Sequence, residues 1–161
     1  MDQQLEAVRT PPGAIAATKQ HPSPQGANGS CVPKPNENPV VLIHRMTSNL
    51  YSTFGAIAPL LEQQGKRVFA MNYGYYGEEL HGSSATQLVP GFYGYASLND
   101  SLAQVSRQID LVKQHTGAQK VDSVSWSVGS SLATAYVKQV CAEGVGTVVS
   151  LDGVLRGTTM L

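Results

Sequence analysis

The sequence predicts an α/β protein built on a doubly wound, mostly parallel sheet of about four strands. Three observations lead there. Short continuous apolar runs, such as Val40-Val41-Leu42-Ile43, suit strands buried on both faces of a parallel sheet. Between these runs stand stretches whose apolar residues recur at helical spacing. The resulting alternation of strand and helix, begun and ended by a strand, is the pattern of right-handed βαβ crossovers.

Residues 1–39 hold seven of the nine prolines and show neither a helical nor a strand period. Proline removes backbone donors and blocks both ladders, so these residues read as a loose N-terminal arm ahead of one domain over 40–161. The first strand is Val40 to Ile43, and Thr47, Ser48 or Asn49 can cap the helix after it. Leu50, Phe54, Ile57, Ala58 and Leu61 form that helix's apolar face. Pro59 makes it kink or begin nearby, and Gly65 stops it. A second strand covers about 67–72.

Residues 73–97 are a long loop holding Tyr73, Tyr75, Tyr76, Tyr93 and Tyr95. The topology sets it over the carboxyl ends of the strands, where α/β sheets bind ligands. Its rings either line an acyl-chain pocket or pack the loop on itself. Leu98, Leu102, Val105, Ile109 and Val112 make one stripe, so 98–116 is an amphipathic helix stopped by Gly117. A strand over about 120–125, a helix over about 128–142 and a last strand over 145–151 complete the order.

Composition excludes several function classes. Eleven basic residues balance eleven acidic ones, and there is no basic stripe, so no nucleic-acid partner is expected. No apolar run approaches the length of a membrane span. Met-Asp-Gln-Gln-Leu-Glu, at the start, has neither the basic nor the apolar part of a signal peptide. No His, Cys, Asp or Glu cluster has ligand spacing, and no Gly-rich segment is followed by Lys-Ser or Lys-Thr, so neither a metal nor a cofactor is expected. Cys31 and Cys141 are either two free thiols or one bridge.

The chemistry concentrates at Ser125-Trp126-Ser127-Val128-Gly129. A β-branched strand runs into this segment and a small-residue helix leaves it at once. This fits G-x-S-x-G with serine at the first place, the layout of a nucleophile elbow, in which a sharp turn lifts one side chain above the sheet. Ser127 is the candidate nucleophile, and the Val128 N–H, at the helix N-terminus, is a candidate oxyanion donor. The alternative is a serine-rich strand end with a serine-capped helix.

Further segments carry a resemblance. Pro39-Val40-Val41-Leu42-Ile43-His44, then Val68-Phe69-Ala70-Met71-Asn72-Tyr73-Gly74, then Lys120-Val121-Asp122 running to the elbow, stand in the order and form seen in bacterial triacylglycerol lipases of the α/β-hydrolase fold. The chain resembles the secreted actinobacterial type and the small lidless enzymes over about 26–161, with Gly157-Thr158-Thr159 also in place. The resemblance implies carboxylic-ester hydrolysis, a lipid or small ester substrate, contact with a lipid interface and an extracellular location; without a visible signal peptide the alternative is cytoplasmic. It implies that Gln25-Gly26-Ala27-Asn28-Gly29 packs along the domain and that Cys31 is a half-cystine position, although the usual partner site holds Arg67. It also implies further strands beyond Val145–Leu151, which leaves that strand with an open edge here.

Departures from the family pattern bear on activity. The resemblance makes His44 part of the oxyanion loop and the Met46 N–H the first oxyanion donor, but Arg45 replaces the glycine of the His-Gly pair. If that position needs a positive φ, arginine pays roughly 1–2 kcal/mol. Arg45 either points to solvent or binds an anion. A triad also needs an acid and a histidine after the serine. Only Glu143 and Asp152 follow Ser127, and all four histidines (His21, His44, His81 and His115) precede it. Asp152, just after the last strand, is the one acid placed to reach the site, while Glu143 sits in a turn. The expectation is an incomplete fold and a chain that hydrolyses esters poorly, or a catalytically dead relative that binds lipid or acyl ligands.

Overall fold

The computed structural model describes residues 23–29, 34, 36–75 and 92–159. Its centre is a four-stranded, all-parallel sheet made of β1 (Val40–Ile43), β2 (Val68–Met71), β3 (Val121–Trp126) and β4 (Val145–Leu151), in the order β2-β1-β3-β4. The chain moves outward from β1 to β2, then crosses back over the sheet to β3. β1 pairs Val40 with Val68 on one side and with Asp122 on the other.

Its four residues are buried, because helices cover both faces. On one face Val41, Ile43, Phe69 and Met71 pack against Val105, Ile109 and Val112 of α3 (Leu98–Thr116) and against Leu132 and Ala133 of α4 (Val128–Ala135). On the other, Val40, Leu42, Val68 and Ala70 pack against Leu50, Tyr51 and Phe54 of α1 (Leu50–Phe54) and Ala58 of α2 (Ile57–Gln63). The strict alternation of partners along β1 and β2 follows from the two-residue period of a strand. None of the helices among the described residues is long and apolar enough to cross a membrane.

Local signals explain where the helices stop. Asn49 caps α1 through a reciprocal pair with Ser52. The helical stretch before Gly65, expected to kink or begin near Pro59, is two helices broken at Gly55-Ala56, which lets Pro59 fall in the first turn of α2, where a missing N–H costs nothing. Ser97 caps α3, and Gly117, at φ 71°, ends it in the left-handed conformation. The helix expected over 128–142 is also corrected. It is α-helical only to Ala135, then widens to a π turn over Tyr136–Val140 closed by the Cys141 N–H on the Tyr136 carbonyl at 3.0 Å. The wider turn keeps Tyr136 in the core, its hydroxyl 3.3 Å from the Lys113 ammonium, while residues 138–140 face solvent. Cys141 is a free thiol. His21, Cys31, Tyr76 and His81 lie outside the described residues.

The two sheet edges differ. Along β2, Ala27 bridges Val68, and the Asn28 side chain donates to the Ala70 carbonyl at 2.9 Å and accepts from the Ala70 N–H at 3.1 Å. The Tyr51 hydroxyl donates to the Ser23 carbonyl and holds this run-in segment down. Along β4 no strand among the described residues pairs with the outer edge, and positions 146–150 are exposed.

Candidate active site

The turn between β3 and α4 holds a strained backbone. Ser127 sits at φ 51°, ψ −120°, a region that L-residues avoid and that costs of order 1–3 kcal/mol. Its N–H donates to the Leu151 carbonyl at 2.9 Å, and its own carbonyl accepts from the Ser130 N–H at 2.9 Å. Its hydroxyl makes no cap bond to the helix, so it is not tied into the fold as an ordinary N-cap serine is.

The small residues around Ser127 have separate reasons. A Cβ on Gly129 would lie 2.3 Å from the Ile43 carbonyl oxygen and 2.5 Å from that of His44, so the first turn of α4 abuts the end of β1. Ser125 is fully buried, yet the hydroxyl it carries in place of glycine donates to the Val149 carbonyl at 3.2 Å. Ser130 in turn donates to the Ser125 carbonyl at 3.0 Å. Serine is thus accommodated where the pattern has glycine.

The contact at Gly129 sets the loop after β1 beside the elbow. His44 is fully buried, stacked on Tyr73 with ring centroids 4.4 Å apart. Its Nδ1–H donates to the Arg45 carbonyl at 2.7 Å, and its Nε2 accepts from the Tyr73 N–H at 3.4 Å. Burial lowers its pKa to about 4, only partly opposed by the Arg45 carbonyl, so the ring is neutral at pH 7 with both nitrogens engaged. A ring held this way cannot take a proton from Ser127. The Tyr73 hydroxyl donates to the His44 carbonyl at 2.6 Å, and burial pushes that phenol far up. Tyr73 is therefore a brace beneath the loop, which corrects the expectation that it could line an acyl pocket.

Arg45 is exposed and Met46 half-buried. The backbone cost expected at Arg45 does not arise there. The residue with positive φ is Thr47, at 52°. The loop is pinned from above by two short pieces of the tyrosine-rich segment. Tyr93 bridges Ser48, Gly94 donates to the Tyr73 carbonyl at 2.9 Å, and a Cβ on Gly94 would meet the Met46 Cα at 3.0 Å. Tyr75 and Tyr93 meet edge to face at 6.1 Å.

Of the two candidate acids, Asp152 follows β4 at φ 48° and is exposed, with no hydrogen bond or ion pair to its carboxylate among the described residues. Leu151 receives the Ser127 N–H, and the Ser131 hydroxyl donates to the Val154 carbonyl at 2.7 Å, so the loop that carries Asp152 is strapped to the elbow helix. Glu143 lies at the other end of the sheet. It lines a cleft of about 850 Å³ with Lys113, Lys120 and Cys141. His115, in the last turn of α3, packs edge-on to Phe69 near that same end. The structure thus brings together Ser127, Val128, the His44–Met46 loop and the Asp152 loop, and leaves His115 and Glu143 apart from them. The Tyr73 and Ser131 contacts have no signature in the sequence, since each joins residues more than 20 positions apart. No group of three or more His, Cys, Asp or Glu among the described residues could hold a metal.

Comparison with known proteins bears on the fold. Among solved structures, an extracellular alpha/beta-hydrolase from a Paenibacillus species, described as sharing structural and functional homology with tobacco salicylic acid binding protein 2, superposes with a TM-score of 0.50 at 20% identity. The alignment covers 73% of this chain and 41% of that one, so the chain spans less than half of its neighbour's length. A search of curated proteins gave no match. The family comparison matches residues 38–160 to the alpha/beta hydrolase fold. That stretch holds all four strands and the elbow, and the chain belongs to the alpha/beta hydrolase fold family.

Proposed function

We propose that the chain is a lipase/esterase-type serine hydrolase acting on carboxylic esters of lipids, with Ser127 as its nucleophile. The observation that carries this reading is the strained Ser127 backbone at the mouth of α4, with a hydroxyl left unused by the helix cap. In the reaction, Ser127 Oγ adds to the ester carbonyl and the alcohol leaves with a proton. Water then releases the acid from the acyl-serine. The Val128 N–H, among the first N–H groups of α4 and without an intrahelical acceptor, is directed to the developing oxyanion, with the Met46 N–H as its partner. Asp152 is the acid whose loop is strapped to the elbow helix. The extracellular description of the structural neighbour supports a location outside the cell.

Neither described histidine can serve as the base. His44 is locked neutral and His115 lies at the far end of the sheet. This favours a second reading, a relative that binds acyl ligands without turning them over. The test is hydrolysis of a short p-nitrophenyl ester by the 161-residue chain, with Ser127→Ala as control and imidazole added as an external base. The expected result is little turnover alone and an imidazole-dependent increment that Ser127→Ala lacks. Equal increments in both proteins would exclude Ser127 as nucleophile and leave the binding reading, which retention of a fluorescent fatty acid by both proteins would support.

A further inference from the structure

We propose that His44 is an acid-operated latch on the loop after β1: a proton taken up at Nε2 releases Met46 and Thr47 from the segment that holds them down. At neutral pH a continuous run of contacts keeps the latch closed. The His44 Nδ1–H donates to the Arg45 carbonyl, and Nε2 is the acceptor for the Tyr73 N–H. Tyr73 returns its hydroxyl to the His44 carbonyl at 2.6 Å and offers its own carbonyl to the Gly94 N–H at 2.9 Å. Gly94 lies directly over the loop, where even a methyl group would come within 3.0 Å of the Met46 Cα. Tyr93 completes the clamp by exchanging two backbone bonds with Ser48, at 2.7 and 3.3 Å. Thr47 is held beneath it at φ 52°, so the closed loop carries strain that opening relieves.

The device turns on one atom. Nε2 can accept the Tyr73 N–H only while it keeps its lone pair. A proton there sets two donors face to face on a fully buried ring, and Nδ1 already uses the Arg45 carbonyl. The surrounding charge does not favour an imidazolium either. Among the described residues the charged group that bears on the ring is the Arg45 guanidinium, which repels a second cation. The titratable side chains facing it from the other segments are phenols, Tyr73 stacked on it and Tyr93 at 6.4 Å. α4, which abuts the His44 carbonyl at Gly129, carries no charged residue. The Tyr73 face would attract an imidazolium, yet it belongs to the residue whose N–H the proton opposes. Relief comes by parting Tyr73 from His44, and Tyr73 is the residue that Gly94 hangs on. A ring freed into water takes up its proton near pH 6.5, against about 4 in place. Opening is therefore favoured as pH falls below 6.5, by roughly 60-fold between pH 7 and pH 4.5. The consequence for an oxyanion rests on the function proposed above, since the Met46 N–H belongs to the released loop; the latch itself does not.

The test is amide hydrogen exchange of the whole chain by NMR between pH 7 and pH 4.5, with and without subdenaturing urea, read at Ser48, Tyr93 and Gly94. The His44 ring signals are followed in the same samples. The expected result is a roughly 60-fold fall in the protection of these three amides after correction for intrinsic exchange. Their urea slope should stay well below that of Val41 and Val124 in the core strands, because a local opening exposes little surface. His44→Gln, which offers an amide oxygen that no proton can claim, should lose the pH dependence. Unchanged protection, a urea slope equal to that of the core strands, or the same pH dependence in His44→Gln would each overturn the proposal. Should His44→Gln not fold, the wild-type ring decides alone. A His44 that titrates near 6.5 while the three amides stay protected would show that the ring takes its proton without opening the loop, and the latch would fall.

Discussion

The two ends of the sheet are built on opposite principles. At the carboxyl end, Thr47, Ser127 and Asp152 follow β1, β3 and β4, and each is held at positive φ. None is glycine. At the amino end lie two clefts, of about 850 and 520 Å³, lined mostly by Lys, Gln, Gly, Ala and Asn. There the only described non-glycine residue with positive φ is Asn36, which tolerates that conformation well. The roomy end is relaxed and the strained end is tight. Empty volume records where loops happen to part, whereas strain persists only where the surrounding contacts over-determine it. The strained end is accordingly where the chemistry is sought.

The largest expected effect tests the packing that enforces the strain. Gly129→Val must displace the backbone of β1, because its Cβ alone would lie 2.3 Å from a carbonyl oxygen. Chemical denaturation should show a loss of more than about 3 kcal/mol, or no folded protein. A milder loss would mean that the elbow and β1 are not rigidly joined.

Next comes pH. His44 titrates near 4 in the folded chain and near 6.5 when unfolded, so the unfolded state binds more protons between these values. The contribution from the buried neutral ring is whole above pH 6.5 and is lost as pH falls toward 4. The loss approaches about 3 kcal/mol. Urea titrations at pH 7 and pH 4.5 should therefore differ more in the wild-type chain than in His44→Gln. Equal differences would show that the ring titrates in water.

A smaller effect of opposite sign is expected at the strained residues themselves. Ser127→Gly should stabilise the fold by about 1 kcal/mol while removing any Ser127-dependent hydrolysis, since glycine adopts positive φ freely. A destabilised glycine variant would break the contrast between the two ends. The smallest effect belongs to the amino end, where Lys120→Ala, on the rim of both clefts, should change stability by less than about 0.5 kcal/mol.

What could be read in advance divides by the range of the interaction. β1, α3, β4 and the elbow were legible because each is written in a contiguous run or a fixed period: Val40 to Ile43, the stripe from Leu102 to Val112, and the five residues around Ser127. The break at Gly55-Ala56 has a local sign in Gly55, four residues ahead of Pro59. The π turn after Ala135 had none, because it follows from where Tyr136 must lie relative to Lys113, 23 residues earlier. At the site, the family glycine that Arg45 replaces points to strain at that position, whereas the left-handed residue is Thr47, two positions on. The neutral state of His44 depends on Tyr73 and on burial, neither of which a sequence position declares.

Asn28 closes one side of the molecule. At φ 57° it cannot continue a strand, yet its side-chain amide satisfies both polar groups of Ala70, in the place a neighbouring peptide would take. A strand from another molecule that approached β2 there would find both groups occupied and would have to displace the amide first. A single side chain thus does for this edge what a further strand does elsewhere in a sheet, and leaves no template to copy.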